Sequence, residues 1–276
     1  MIRFEYNHDN FDRNSSSNHN LSILTGMDSF IFMITDESGA ILVLKDFFVN
    51  NTPGNQNQYI LSIQDLFKNE ALLQLSYKKV IVEISDHKFV FVPDRLFNAS
   101  EAAVYLSQAT TLAPNEQIAH TEFQDLHSNL VFCFPKELAD LIQSKHPKAQ
   151  WNHIATSLQQ SYAKNQAYQP TQFIGLHFRG NLEYISLVNN GVVQFHNCYG
   201  VKEAQDALYF LLLVADNVHA NPEETPVVWS GDLVPEAEIL KLVKRYFRTV
   251  QPLETGPFQS SEMQENKYPD LLGIIS

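Results

Sequence analysis

One strand-and-turn pattern occurs twice in this chain, and it limits the folds that the chain can adopt. Residues 21–49 read LSILTGMDSFIFMITDESGAILVLKDFFV, and residues 173–199 read FIGLHFRGNLEYISLVNNGVVQFHNCY. Each segment has an apolar strand, a glycine-containing turn, an alternating strand, a second polar turn that ends in glycine, and a third strand. Two distant copies of one plan predict two lobes with a cleft between them.

Composition and charge narrow the class of protein. The 276 residues include 44% hydrophobic and 18% charged residues, and the formal net charge is -12, which argues against nucleic-acid binding. The longest apolar run, residues 207–215, is too short to cross a bilayer, and the N-terminus lacks the apolar core of a signal peptide. Cys133 and Cys198 are distant in sequence and lie in apolar runs, as reduced thiols do. We therefore expect a cytoplasmic protein without membrane insertion.

The chain is predicted to have three parts. Residues 1–20 are predicted to form a mobile arm, because residues 7–20 are rich in Asn, Ser and Asp. Residues 21–169 form the first lobe, and residues 170–276 form the second, which restarts after a polar stretch. Strands in runs mixed with helices predict an α/β protein with antiparallel hairpins in mixed sheets.

Five segments in a fixed order carry a family resemblance. They read LSILTGMDSFIFMITDESG, KKVIVEISDHKFVFVPDRLF, GLHFRGNLEYISLVNNGVV, TPVVWSGDLVPEAEILKLVKRYF and YPDLLGI. Together they resemble the actin-like ATPase superfamily, which includes sugar kinases and heat-shock chaperone ATPases, and within it the pilus-assembly and cell-division proteins. The whole chain is similar to a bacterial domain-of-unknown-function family placed in that superfamily. The resemblance implies a two-lobed fold, a duplicated ribonuclease-H-like unit with mixed sheets.

The resemblance also implies where a nucleotide site would lie. Active members carry Asp-x-Gly-Thr/Ser at the first turn, where this chain has Leu24 at the acid and Met27 at the hydroxyl position. At the second turn His177 replaces the acid and Arg179 replaces the glycine. The third motif, a Gly-Gly turn, is reduced to its first glycine, in Ser230-Gly231-Asp232. The candidate residues lining the interlobe cleft are Gly26, Met27, Asp28, Ser29, Arg179, Gly180, Asn181, Gly231 and Asp232.

These departures predict that the chain does not hydrolyse ATP. Mg²⁺ binds oxygen ligands, and nucleotide sites commonly supply one or two carboxylates. Leu24 has no ligand atom, and His177 is a poor ligand for Mg²⁺. Phosphoryl transfer depends on positioning and charge neutralisation, so the loss of both acids removes most catalysis. We therefore predict no catalytic residue, no metal site and no cofactor, and the same losses disfavour ATP binding.

The sequence leaves three functions open. The first is a catalytically degenerate scaffold or adaptor that contacts an unidentified protein or further copies of itself. The second is a binder of a nucleotide or another phosphorylated small molecule, held by Arg179 beside the N–H groups of Gly180 and Asn181. The other interpretation of Arg179 is an exposed arginine at a strand end. The third function is an ATPase whose acids have moved to Asp28 or Asp232.

Overall fold

The computed structural model describes residues 1–26, 28–49, 56–254 and 265–274. The chain divides into two compact units, which contain Met1–Ile154 and Ala155–Ile274. The sequence predicts that the first lobe ends at residue 169, whereas the first unit ends at Ile154. The reason is that the helix Ile154–Lys164 packs in the second unit, where the rings of Tyr162 and Phe173 meet with centroids 5.6 Å apart.

The first unit is built on a six-stranded mixed sheet in the order β1-β4-β3-β2-β5-β9, with a separate three-stranded sheet in the order β6-β8-β7. Strand β2 pairs antiparallel with β3 and parallel with β5. The strands and helices are β1 Ile2–Asn7, β2 Asn20–Gly26, β3 Ser29–Thr35, β4 Ile41–Phe48, α1 Gln56–Asn69, β5 Lys79–Ile84, β6 Phe89–Pro93, α2 Ala102–Ala109, β7 Glu116–Phe123, β8 Ser128–Pro135, α3 Lys136–Lys145 and β9 Gln150–His153.

The N-terminal residues differ from their predicted state. Residues 1–20 are predicted to be a mobile arm, but β1 pairs antiparallel with β4 at the edge of the six-stranded sheet. A 3₁₀ turn, Arg13–Asn18, follows it and is capped by the side chain of Asp12. The physical reason is the alternation of Phe4 and Tyr6 with charged residues, which suits a half-buried edge strand.

The second unit has one five-stranded mixed sheet in the order β12-β11-β10-β13-β14. The hairpin turns as predicted between β11 and β12, because Asn190 and Gly191 both have the positive φ that a tight turn requires. The strands and helices are α4 Ile154–Lys164, β10 Gln172–Arg179, β11 Leu182–Asn189, β12 Val192–Gly200, α5 Ala204–Asn217, β13 Val227–Gly231, α6 Glu238–Val243, β14 Val250–Pro252 and α7 Pro269–Leu272.

The opening hairpins of the two units match residue by residue. In the first, Gly26 is the last residue of β2 and pairs with Ser29. In the second, Arg179 is the last residue of β10 and pairs with Leu182. Leu24 and His177 therefore hold equivalent places, two residues before the end of the strand.

The two faces of the second sheet carry different kinds of side chain. Alternate residues of a strand point to opposite faces, so Leu176 and Phe178 lie on one face and His177 and Arg179 on the other. The first face is an apolar core with residues of α5 and α6. The second face carries a buried polar group at the end of β10, where α7 contributes Asp270.

We predict that Gly231→Ala lowers the free energy of unfolding by at least about 2 kcal/mol. Gly231 has φ +86°, and a Cβ atom there would lie 2.0 Å from the carbonyl oxygen of Phe178. Gly200→Ala is the matched control, since its Cβ would meet nothing within 4 Å. Chemical denaturation of both variants measures the difference, and equal stabilities would show that the β13 turn tolerates a side chain.

Candidate functional site

Arg179 is the centre of the buried polar group. Its side chain is fully buried at the end of β10. Nε and Nη2 donate to the two carboxylate oxygens of Asp270 at 2.8 and 2.7 Å. Nη1 donates to Asp232 at 3.0 Å, and Nη2 also donates to the main-chain carbonyl of Lys267 at 2.7 Å. The guanidinium group is thus bound by two aspartates from different parts of the chain.

His177 extends this group along the sheet. Its Nε2 lies 3.2 Å from Asp270 Oδ2, and its Nδ1 lies 2.9 Å from Ser230 Oγ. The order Ser-His-Asp is that of a nucleophilic triad, but Ser230 is 1% exposed and lies within β13. A substrate cannot reach a hydroxyl group in that position, so these contacts serve to hold the strands and α7 together.

Both carboxyl groups of this cluster have pKa values below the ordinary value of aspartate. Burial alone would raise the pKa of Asp270, but Arg179 and His177 outweigh it and hold the pKa below its ordinary value. Burial acts in the same way on Asp232, whose pKa is lowered by the Arg179 charge and by the Gly180 N–H group. One guanidinium therefore faces two ionised carboxylates, an arrangement that disfavours a further anion.

Four of the predicted site residues come together here. Arg179, Gly180, Gly231 and Asp232 form one turn region, in which Asp232 accepts the Gly180 N–H at 3.0 Å and donates its own N–H to the Phe178 carbonyl at 2.8 Å. Asn181 does not join them: its side chain is exposed and its carbonyl accepts from the Val201 N–H.

The predicted residues of the first unit form a separate arrangement. Gly26 ends β2, while Met27 lies outside the described residues. The Asp28 carboxylate pairs with Arg3 at 3.0 Å, and Arg3 also donates to Ser29 Oγ at 3.1 Å. Sequence analysis missed Arg3 because it lies in the segment predicted to be mobile. The alternation of apolar and charged residues along β1 is the signal that could have identified it.

Asp270 and Glu183 were also missed. Asp270 lies in the YPDLLGI segment, whose sequence gives no sign of a partner 91 residues away. Glu183 lies on β11 opposite Phe178, fully buried, and neither carboxylate oxygen has a hydrogen-bond partner among the described residues. Burial raises its pKa to about 9. It is the lone charge in the apolar strand LEYISLVN, which is a readable signal of an unusual carboxyl group.

Where the chain is described, no group of three or more His, Cys, Asp or Glu side chains is placed to hold a metal ion. None of the described helices is long and apolar enough to span a bilayer.

Comparison with known proteins identifies the fold. The model of a family described as "Protein of unknown function (DUF3822)" matches residues 8–250. A crystal structure from Bacteroides thetaiotaomicron, of a protein with actin-like ATPase fold and unknown function, is 18% identical with a TM-score of 0.81 and covers 96% of this chain and 98% of that one. No curated protein matches the chain.

Two further solved structures share the fold at lower similarity. The PilM–PilN type IV pilus biogenesis complex is 11% identical, with a TM-score of 0.57 over 93% of this chain and 97% of that one. The ethanolamine utilization protein EutJ from Carboxydothermus hydrogenoformans is 11% identical, with a TM-score of 0.51 over 93% and 89%. These similarities confirm the predicted actin-like fold and the resemblance to a family of unknown function.

We predict that Arg179→Met lowers the free energy of unfolding by about 3–5 kcal/mol, because it leaves the buried Asp270 carboxylate without its main partner. The control is Lys78→Met in the exposed Lys78–Glu37 pair, where solvent screens the charges and we expect a much smaller change. Urea denaturation compares the two. Similar losses in both variants would mean that the buried ion pair contributes no more than a surface pair.

Glu183 predicts a particular dependence of stability on pH. An unfolded glutamate ionises near pH 4, whereas Glu183 in the fold stays protonated up to its raised pKa of about 9. Between these values the folded chain holds the extra proton, so the free energy of unfolding falls as pH rises, by about 1.4 kcal/mol per pH unit at most.

Glu183→Gln removes this ionisation, and we expect its stability advantage over the wild type to grow from pH 5 to about pH 9. Glu224→Gln, at an exposed position, controls for the loss of a carboxyl group. Denaturation curves across that pH range measure the difference. A constant difference between Glu183→Gln and the wild type would show that Glu183 is already ionised in the folded chain.

Proposed function

This chain belongs to the DUF3822 family of proteins of unknown function, and we propose that it is a catalytically inactive actin-like protein of the bacterial cytoplasm that acts as a scaffold or adaptor through protein–protein contacts. The observation that carries the proposal is the binding of Arg179 by Asp270 and Asp232 at the turn where active relatives bind phosphate. Two internal carboxylates occupy the groups that a phosphate would need.

Main-chain N–H groups and cations are what a protein offers to phosphate. In this chain the Gly180 N–H donates to Asp232, and the Arg179 guanidinium is bound by Asp232 and Asp270. A nucleotide would have to displace both carboxylates and overcome their charge. The geometry therefore supports the phosphate-binding alternative less than it supports the scaffold.

The residues at the metal-organising positions support the same proposal. Leu24 is buried and apolar, and both ring nitrogens of His177 face protein partners. The two acids that could have replaced them are already paired, Asp28 with Arg3 and Asp232 with Arg179. An ATPase would require these pairs to open before Mg²⁺ could bind.

Protein contact is the function that the fold still allows. The similar structure of PilM is solved in a complex with PilN, which is a precedent for a protein partner in this fold. Cys133 and Cys198 are free thiols, as in a reducing compartment. We thus assign to the fold a role in protein recognition and none in catalysis.

We expect isothermal titration with ATP and Mg²⁺ to give no binding tighter than about 1 mM, that is, about −4 kcal/mol. The reason is that Asp232 and Asp270 already bind the Arg179 guanidinium, and Asp232 also accepts the Gly180 N–H, at the second turn. Micromolar ATP–Mg²⁺ binding, with turnover that is lost in Asp28→Asn or Asp232→Asn, would contradict the proposal and establish the relocated-acid ATPase.

A further inference from the structure

The exposed apolar side chains of the second unit concentrate on one helical layer. Tyr209 (61% exposed) and Leu213 (40%) lie on α5, and Val234 (55%) and Tyr246 (51%) flank α6. These are four of the six large apolar residues that are exposed in the described part of that unit, the others being Tyr168 and Val192. Tyr209 and Leu213 are four residues apart and share one face of α5. Exposed apolar side chains gathered on one layer are typical of an interaction site.

A basic stripe runs along the same layer. Lys241 lies in α6, Lys244 and Arg245 lie in the turn that follows it, and Arg248 lies just beyond that turn; all four are exposed. Within the described ranges none of them forms an ion pair. They are four of the 19 lysines and arginines of a chain whose net charge is -12. Four positive charges that form no ion pair within the described ranges attract an acidic surface.

The acidic surface that fits the stripe lies on the neighbouring helix. Glu203 precedes α5 and Asp216 is in its last turn, and both are exposed at either end of the Tyr209–Leu213 face. Helices α5 and α6 pack on the same apolar core. Strand β12 runs with β10, as β13 and β14 do, so both helices return in the same direction and end at the same end of the sheet.

We propose that two copies of this chain associate through the α5–α6 layer, α5 of each copy against α6 of the other. A two-fold axis parallel to the helices and midway between them produces both contacts at once. Asp216 of one copy then meets Lys244 and Arg245 of the other, and Tyr209 and Leu213 are covered. The inference rests on the proposed function, since it names the protein contact that a scaffold would use.

The alternative symmetric contact is less favourable. Packing α5 against α5 of a second copy in the antiparallel sense would place Glu203 opposite Asp216 twice and leave the basic stripe unpaired. Like charges placed opposite each other are costly at an interface. The α5–α6 contact pairs opposite charges and buries the same apolar residues.

Charge-reversed variants test the pairing. Lys244→Glu with Arg245→Glu makes the turn at the end of α6 acidic and is called the α6 variant, and Asp216→Lys with Asn217→Lys makes the end of α5 basic. Alone, each double variant opposes like charges across both contacts, so we expect its dimer dissociation constant to rise at least about 100-fold over the wild type. An equimolar mixture restores opposite charges at both contacts, and we expect mixed dimers.

Sedimentation equilibrium measures the dissociation constants, and native mass spectrometry identifies the mixed dimer by mass. Lys136→Glu with Lys145→Glu, at exposed positions on α3, has the same charge change as the α6 variant and serves as its control, and we expect it to leave the dimer intact. Circular dichroism verifies that each variant is folded. Added salt weakens the wild-type dimer.

Three results would overturn the inference. They are a wild-type monomer up to about 1 mM, a dimer that the α6 variant leaves unchanged, and a mixture without mixed dimers. The first includes the case in which the layer binds a different protein. A monomer that fails to bind ATP–Mg²⁺ would overturn only this inference, whereas a dimer that binds it would overturn only the proposed function.

Discussion

The ion pair between Arg179 and Asp270 is the interaction on which the second unit most depends. It joins the end of β10 to α7, 91 residues apart in sequence, and both of its charged side chains are fully buried. A buried ion pair is stable only when its remaining hydrogen-bonding groups are satisfied. Asp232, His177 and the Lys267 carbonyl satisfy them, so loss of one partner destabilises the whole group.

The same cluster bears on the proposed function. In the active members that the chain resembles, acids at the two turns organise the metal and main-chain N–H groups approach the phosphates. Here the second turn carries a cation, and the acids come from elsewhere in the same unit to neutralise it. Asp232 and Asp270 thus neutralise Arg179 from within the unit and hold the turn in its conformation.

Local pattern was enough to predict much of the fold. The doubled hairpin, the Asn190–Gly191 turn and the equivalence of Leu24 with His177 follow from strand alternation and turn residues, which act over a few positions. The prediction of a mobile arm was wrong because it relied on the polar residues 7–20 and not on the short strand alternation of β1.

The turn that carries Arg179 could be predicted from sequence, but the partners of Arg179 could not. Arg179 was placed at the correct turn, yet whether it is free or bound depends on Asp270, and no local pattern connects residues so distant. The same limit applies to Glu183, whose burial is set by the packing of β11 and not by its neighbours in sequence. The state of the charged side chains therefore says more about function than the strand pattern does. Arg179 beside α7 is buried and neutralised, whereas the basic residues beside α6 are exposed and form no ion pair in the described ranges. Only the second group is available to another molecule.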